Sequence, residues 1–316
     1  MKPHLVSVVI PCHNAEHFVV AACRSVLAQG VDLEIIVVDD GSRDGSVAAL
    51  EASGLPVRLL RQANQGVSAA RNAGVAAARG EWIAFIDADD IWLPGKLRAQ
   101  LALLSQHPDA RMAYTAWHVW HCDDPEPSAE LLAQLNDQAR DPLRWAGPSG
   151  DIYPELLTDC VVWTSTVLIE RNLFQQAGGF DPALRIGEDY DLWLRCSRLT
   201  PVLRVPAPLA LYRMHGANVT HRAQSRNHRG EIVGRALAQW GYASAHGKLA
   251  DRSAVNRGLA RSWADHAGDL LMCGDPRAAR TAAALALHYG AGNWLGWAVY
   301  LKSLCPWLPW KRRTSS

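Results

Sequence analysis

No uninterrupted run of 18 apolar residues occurs in the 316-residue chain, which excludes an evident membrane-spanning helix. No apolar signal stretch follows a basic start either: Met1 to Val6 leads straight into a strand-like segment, and a cytoplasmic chain is expected. The seven cysteines (Cys12, Cys23, Cys122, Cys160, Cys196, Cys273 and Cys305) include no close pair with zinc-ligand spacing. That argues against a structural metal or a disulfide framework and for free thiols in a reducing compartment. No Gly-x-Gly-x-x-Gly follows the first strand-like segment, so a dinucleotide dehydrogenase is excluded. The same place holds Pro11-Cys12-His13-Asn14, not the glycine-rich basic loop with which a nucleotidyltransferase would grip a triphosphate.

What is present is a hydrophobic fraction of 49%, ordinary for a globular chain with a real core. The net charge of +1 conceals a split: residues 221–316 carry 14 Lys+Arg against 5 Asp+Glu, and residues 1–220 carry 18 against 26. Such asymmetry marks either a partner surface or two halves that dock on each other. An acidic half that handles an anionic substrate needs local compensation, which a bound metal ion would supply. No nucleic-acid partner is expected. Two regions follow, a catalytic domain over 1–220 and a helical region over 221–316.

The first 120 residues alternate strand and helix signals. Strands are expected at 7–10, 33–38, 57–60 and 81–86; the second is almost continuously apolar, as parallel strands covered on both faces are. Helices are expected from Asn14 as N-cap to about Gln29, over Ser46–Ser53, over Val67–Arg79, and after Pro94. This rhythm predicts right-handed crossovers and an α/β fold with a mostly parallel, doubly wound sheet. Ligands of such sheets sit at the carboxyl ends of the strands, here just after Ile10, Val38 and Ile86. Residues 121–150 read as an insertion with a short helix at Ala129–Gln138. A strand at Val161–Ile169 and a helix at Glu188–Leu199 follow. Beyond about 222 the pattern is helical, with Ser262–Met272 and Arg277–His288 forming a hairpin in which Ala279 and Ala283 allow close contact.

Asp87, Asp89 and Asp90 follow the apolar strand that ends at Ile86. Residues two apart in extended chain share a side, so Asp87 and Asp89 face one site. Hard oxygen donors held together suit Mg²⁺ or Mn²⁺, which completes its shell with water and substrate phosphates. Asp39 and Asp40 lie at another strand end, where a carboxylate can meet a base or a ribose hydroxyl, although Asp-Gly-Ser by itself is ordinary turn chemistry.

Taken in order, Ser7-Val-Val-Ile-Pro-Cys-His-Asn14, Glu34-Ile-Ile-Val-Val-Asp-Asp-Gly-Ser-Arg-Asp-Gly45, Asn64-Gln-Gly-Val-Ser-Ala-Ala-Arg-Asn-Ala-Gly74, Phe85-Ile-Asp-Ala-Asp-Asp90, Gly178-Gly-Phe-Asp181 and Gly187-Glu-Asp-Tyr-Asp-Leu-Trp193 resemble the family 2 glycosyltransferases of GT-A fold over roughly residues 5–220. The resemblance implies an inverting, metal-dependent transfer from a nucleotide sugar, most simply UDP-linked. The acceptor would be a saccharide or a lipid-linked molecule, within polysaccharide or glycoconjugate synthesis. It further implies that Pro11, Asp39 and Asp40 contact base and ribose, that Arg71 is the basic residue near the nucleotide, and that Asp89 is the direct metal ligand. Asp87 would touch ribose, sugar or metal. Asp189, in the Glu188-Asp189 pair, would be the general base, and His215, in Tyr212-Arg-Met-His215, would join the metal and diphosphate. Trp163 and the Gly178-Gly179 turn are candidate acceptor and sugar contacts, with a core position an equal alternative for Trp163.

At the C-terminal end Trp294, Trp297, Trp307 and Trp310 stand among leucines and precede Lys311-Arg312-Arg313. That composition suits either an interfacial helix at the inner face of an anionic membrane or a tryptophan-rich helix packed on the protein. A non-catalytic scaffold that keeps the fold is the competing functional class. The presence of Asp87, Asp89 and Asp189 together argues against it.

Overall fold

Strand β1 (Val6–Cys12) lies at the centre of a parallel half-sheet because every side chain from Val6 to Ile10 is buried. Covering both faces of such a strand is what makes it apolar throughout. In the computed structural model, which describes residues 5–122, 124–141, 143–214 and 226–304, β1 pairs in parallel with β2 (Leu33–Asp40) and β4 (Trp82–Phe85). Strand β3 (Val57–Gln62) extends the same half beyond β2. Crossover helices α1 (Val19–Leu27), α2 (Ser46–Ser53) and α3 (Val67–Ala77) connect these strands. Helix α3 approaches β1 so closely that a Cβ on Gly74 would stand 2.3 Å from Val9 Cγ1.

The other half is mixed. Beyond β4 the order continues β7 (Leu168–Glu170), β6 (Met112–His121), β8 (Val202–Met214) and β5 (Ile91–Trp92). Strand β7 is antiparallel to both β4 and β6, β8 is parallel to β6, and β5 is antiparallel to β8. The expected α/β fold with helices flanking the sheet is present, and the parallel order holds strictly for β3-β2-β1-β4. The β6–β8 ladder shifts register around Ala116, where Pro206 and Pro208 interrupt β8. Helix α4 (Lys96–Gln106) follows β5, α5 (Ala129–Gln138) lies in the insertion where it was expected, and α8 (Glu188–Cys196) precedes β8.

Two local expectations change. Asn14 does not cap α1, which begins at Val19. Asn14 instead takes a left-handed φ of 54°, donates its backbone N–H to Ser42 Oγ and accepts from Arg43 N through Oδ1. The segment 161–169 is not one strand: Thr164–Thr166 form a 3₁₀ turn before β7. Its hydroxyls bond carboxylates and a carbonyl in place of a ladder.

The chain divides into two compact units, Met1–Leu156 with Cys160–Asn218, and Leu157–Asp159 with Val219–Ser316. The second contains α9 (His228–Trp240), α10 (Arg252–Met272), α11 (Pro276–Tyr289) and α12 (Trp294–Leu304). Ala264 and Ala267 of α10 meet Ala279, Ala282, Ala283 and Ala286 of α11 in one core, so the hairpin is a small-residue contact as its sequence implied. Asp275 caps α11 by accepting from Ala278 N, and Pro276 opens it. Among the described residues no helix is long and apolar enough to cross a membrane.

Candidate functional site

The acidic loop 87–90 leaves β4 beside the carboxyl end of β1, the edge where an α/β sheet presents its ligand. Its backbone is pinned by a turn, Asp90 N donating to Asp87 O, and by Asp87 N donating to Ser165 Oγ. Asp90 is the inward member. Its carboxylate accepts from Ser165 Oγ at 2.6 Å and from Arg213 N at 3.1 Å. Burial, and then the negative charges of Asp89 and Asp87, push its carboxyl well above the usual range. Asp87 and Asp89 are half-buried.

Arg71 of α3 joins this loop to α8. Nη2 donates to Asp87 Oδ1 at 2.6 Å and Nη1 donates to Glu188 Oε1 at 2.7 Å, with the guanidinium lying over the Phe180 ring. Its side chain is 4% exposed and that of Glu188 10%, so this pair is shielded from water, whereas Asp87 is 31% exposed. The neighbouring Asp87 and Glu188 charges hold the guanidinium protonated against the pull of burial. At Glu188 the balance tips the other way. Burial first, and the charge of Asp189 second, push the carboxyl from 4.5 up to about 7 against the opposing pull of Arg71.

Asp189 sits in the first turn of α8, which Gly187 enters with a φ of 77°. Its two oxygens are fixed separately: Oδ2 accepts from Thr164 Oγ1 at 2.8 Å and Oδ1 from Tyr190 N at 2.7 Å. Unlike Glu188, this side chain is only half-buried. The 3₁₀ turn 164–166 therefore serves both acidic groups, Thr164 holding Asp189 and Ser165 holding Asp90. Trp92 Nε1 donates to Ser165 O at 2.6 Å, and Gln100 Nε2 donates to Thr166 O at 2.9 Å. Lys96, fully buried, donates to Gln100 Oε1 and lies 3.9 Å from the Trp92 ring centroid. Burial lowers its amine well below the ordinary value.

Asp39 and Asp40 end β2 and differ in what they hold. Asp40 accepts from Gln62 Nε2, Gln65 N and Gly66 N, each at 2.8 Å, so both oxygens clamp the loop before α3. Asp39 accepts from Ser42 N and has Arg61 Nε at 3.8 Å. Pro11 lies opposite Val38 in the β1–β2 register. Gly179 is buried, and its carbonyl accepts from Arg195 Nη2. Asn72 staples the adjoining Phe180 to α3 through both its N–H and its carbonyl, so this turn braces α3. Trp163 is half-buried, with its ring centroid 4.9 Å from Tyr212 and 6.0 Å from Trp117. His215 lies outside the described residues.

The residue that sequence reasoning passed over is Arg213. It is fully buried in β8, donates from Nε to Asp89 O at 2.6 Å, and donates from its terminal nitrogens to the carbonyls of Cys122, Asp124 and Pro125. Its guanidinium also faces the rings of Phe18 and Trp120. The acidic loop is thus tied from one side by Arg71 and from the other by Arg213. The one available sequence signal was its place in Tyr212-Arg-Met-His215, where the histidine drew attention.

The donor set fits a divalent cation. Two half-buried carboxylates, hard oxygen donors, stand beside a buried third, Asp90, whose carboxyl is raised first by burial and then by their charges. Among the described residues no three His, Cys, Asp or Glu side chains form a ready-made metal cage.

Residues 7–134 match the profile of Glycosyl transferase family 2. An Escherichia coli protein described as a UDP-Glc:alpha-D-GlcNAc-diphosphoundecaprenol beta-1,3-glucosyltransferase is 31% identical over 197 residues, 61% of this chain and 70% of that one. An uncharacterized glycosyltransferase of Rickettsia prowazekii is 29% identical over 69% of this chain and 67% of its own length. In another from Rickettsia conorii the match spans 34% of that protein. Among solved structures, S. aureus TarS 1-349 in complex with UDP-GlcNAc superposes with a TM-score of 0.63 at 15% identity, covering 94% of this chain and 90% of that one. The mannosyltransferase PcManGT of Pyrobaculum calidifontis, in complex with GDP-Man and Mn²⁺, gives 0.51 at 17% identity over 95% and 79%.

Proposed function

The chain belongs to glycosyl transferase family 2, and on that premise we propose that it is an inverting transferase that moves a sugar from a UDP-sugar to the hydroxyl of a lipid-linked saccharide. The observation that carries the proposal is the Arg71 bridge, which draws the acidic loop of β4 and the first turn of α8 into one site. Donor class is supported by the E. coli relative, whose name specifies UDP-Glc and a diphosphoundecaprenol-linked acceptor.

Pro11 and Asp39 would receive the base and ribose at the sheet edge, while Asp40 keeps the loop before α3 in place. Asp89, with Asp87 beside it, would hold Mg²⁺ or Mn²⁺, whose positive charge, when bound, opposes the charge that grows on the leaving diphosphate. Asp189 would take the proton from the acceptor hydroxyl as that oxygen bonds to the anomeric carbon, on the face opposite the breaking bond to diphosphate. Its oxygens, fixed by Thr164 and Tyr190 N, are oriented before substrate arrives. Glu188 holds Arg71, and Trp163, stacked in its aromatic group, would offer a face to the acceptor sugar.

The test measures nucleoside-diphosphate release from a panel of UDP-, GDP- and dTDP-sugars, with Mn²⁺, Mg²⁺ or chelator. Release confined to UDP donors and lost in chelator is expected. Asp89→Asn should lower it by roughly two to three orders of magnitude. Turnover that persists in chelator would refute the metal role. No release and no thermal shift with any donor would favour the scaffold class.

A further inference from the structure

We propose that the outward face of α12 docks the protein on an anionic phospholipid surface. In giving a lipid-linked acceptor a place to be met, the proposal rests on the function above; as a binding event it stands on α12 itself. Trp294, Trp297, Leu301 and Leu304 are 72%, 47%, 58% and 46% exposed. Their spacing of three, four and three residues puts them in one stripe along the helix. The opposite side is already committed to the core of its own unit: Gly296 packs on Ala286 and Leu287, Val299 is fully buried, and Ser303 accepts from Arg280.

A helix on a protein surface normally turns charged or polar side chains outward. Here both sides are apolar, and the outer one carries its two largest residues. Scattered exposed apolar residues need no explanation, whereas a continuous stripe marks a docking face. Tryptophan favours the boundary between water and hydrocarbon, because its ring is apolar and its N–H is not. At 11 residues the helix is too short to span a bilayer and long enough to lie in its interface.

Charge chooses the occupant. From Pro276 to Ser316 the sequence contains no Asp or Glu, yet it carries Arg277, Arg280, Lys302, Lys311, Arg312 and Arg313. A second copy meeting this face with its own would bring like charge to like charge. Anionic headgroups bring the opposite sign, and the attraction falls off with salt.

The full chain should co-sediment with phosphatidylcholine vesicles that contain phosphatidylglycerol, weakly with phosphatidylcholine alone, and less at high salt. Trp294→Glu and Leu301→Glu, each at an exposed position, should weaken binding to the anionic vesicles by roughly tenfold or more. Each variant should keep its thermal shift with UDP and Mn²⁺, which separates this proposal from the functional one: a missing shift in the parent protein counts against the donor assignment, not against docking. Binding left unchanged by both substitutions overturns the proposal, as does absence of binding to anionic vesicles. Concentration-dependent self-association that both substitutions abolish would assign the face to a second copy instead.

Discussion

In the half-sheet β3-β2-β1-β4 a helix follows each of β1, β2 and β3, consecutive strands β1–β2 and β2–β3 are neighbours in space, and β4 returns to the other side of β1. In the half β7-β6-β8-β5 the adjacent strands lie far apart in the chain, β8 begins some 80 residues after β6 ends, and prolines interrupt β8. The parallel half is held mainly by apolar packing. The mixed half is held, next to the site, by polar side chains: Ser165, Gln100, Lys96 and Arg213 tie loops and strands to one another. The difference teaches that the acidic loop after β4 is supplied by the parallel half and braced in part by Ser165 and Arg213 of the mixed half.

Five substitutions at four positions sharpen that comparison. The largest effect is expected at Asp189, supplied by α8 and aimed by Thr164 of the mixed half. Asp189→Asn should cut transfer by roughly a thousandfold while leaving the affinity for UDP and Mn²⁺ unchanged. Collapse of donor affinity instead would move Asp189 into the nucleotide site. Next comes Arg213→Met, which leaves the carbonyls of Asp89, Cys122, Asp124 and Pro125 without this donor. Urea denaturation should show a loss of about 3 kcal/mol. Arg213→Lys, which keeps the charge and loses the fork, should recover only part of it.

In the parallel half the matching probe is Gly74→Ala, whose methyl would press on Val9 at 2.3 Å. Overpacking of this kind costs about 1–3 kcal/mol. Turnover per folded molecule should fall less than in Asp189→Asn, although α3 also carries Arg71, one turn before Gly74. A large fall in turnover without loss of stability would show that the two halves are not separable in this way.

The smallest effect concerns pH. Glu188 titrates near 4.5 in the unfolded chain and at about 7 in the folded one, so the folded state binds its proton more tightly. Its contribution to stability is then full below 4.5 and fades as pH rises through about 7. Melting temperature should decline more steeply across that window in the parent than in Glu188→Gln, which has no proton to lose. Equal slopes would show that Arg71 keeps Glu188 ionised throughout.

The membrane question belongs to the other unit and answers to different forces. The N-terminal region 1–220 carries an excess of acid and region 221–316 an excess of base. The proposed cation site and the proposed lipid-docking helix thus belong to regions of opposite net charge. The two can be probed separately, the first with metal and nucleotide, the second with vesicles and salt.

What the sequence by itself determined is local: strand-end carboxylates after Val38 and Ile86, the acidic first turn of α8, the α5 insertion helix, and the small-residue hairpin of α10 and α11. Each rests on a period or a spacing of a few residues, which short-range sterics and burial impose directly. Tertiary structure alone decided which carboxylates are fully engaged in holding the frame. Asp40 reads like Asp39 until Gln62, Gln65 and Gly66 occupy both its oxygens, and Asp90 reads like Asp89 until Ser165 and Arg213 draw it inward. Such distinctions require partners 22 to 123 residues away, and a donor that distant leaves no mark on the pattern around its acceptor.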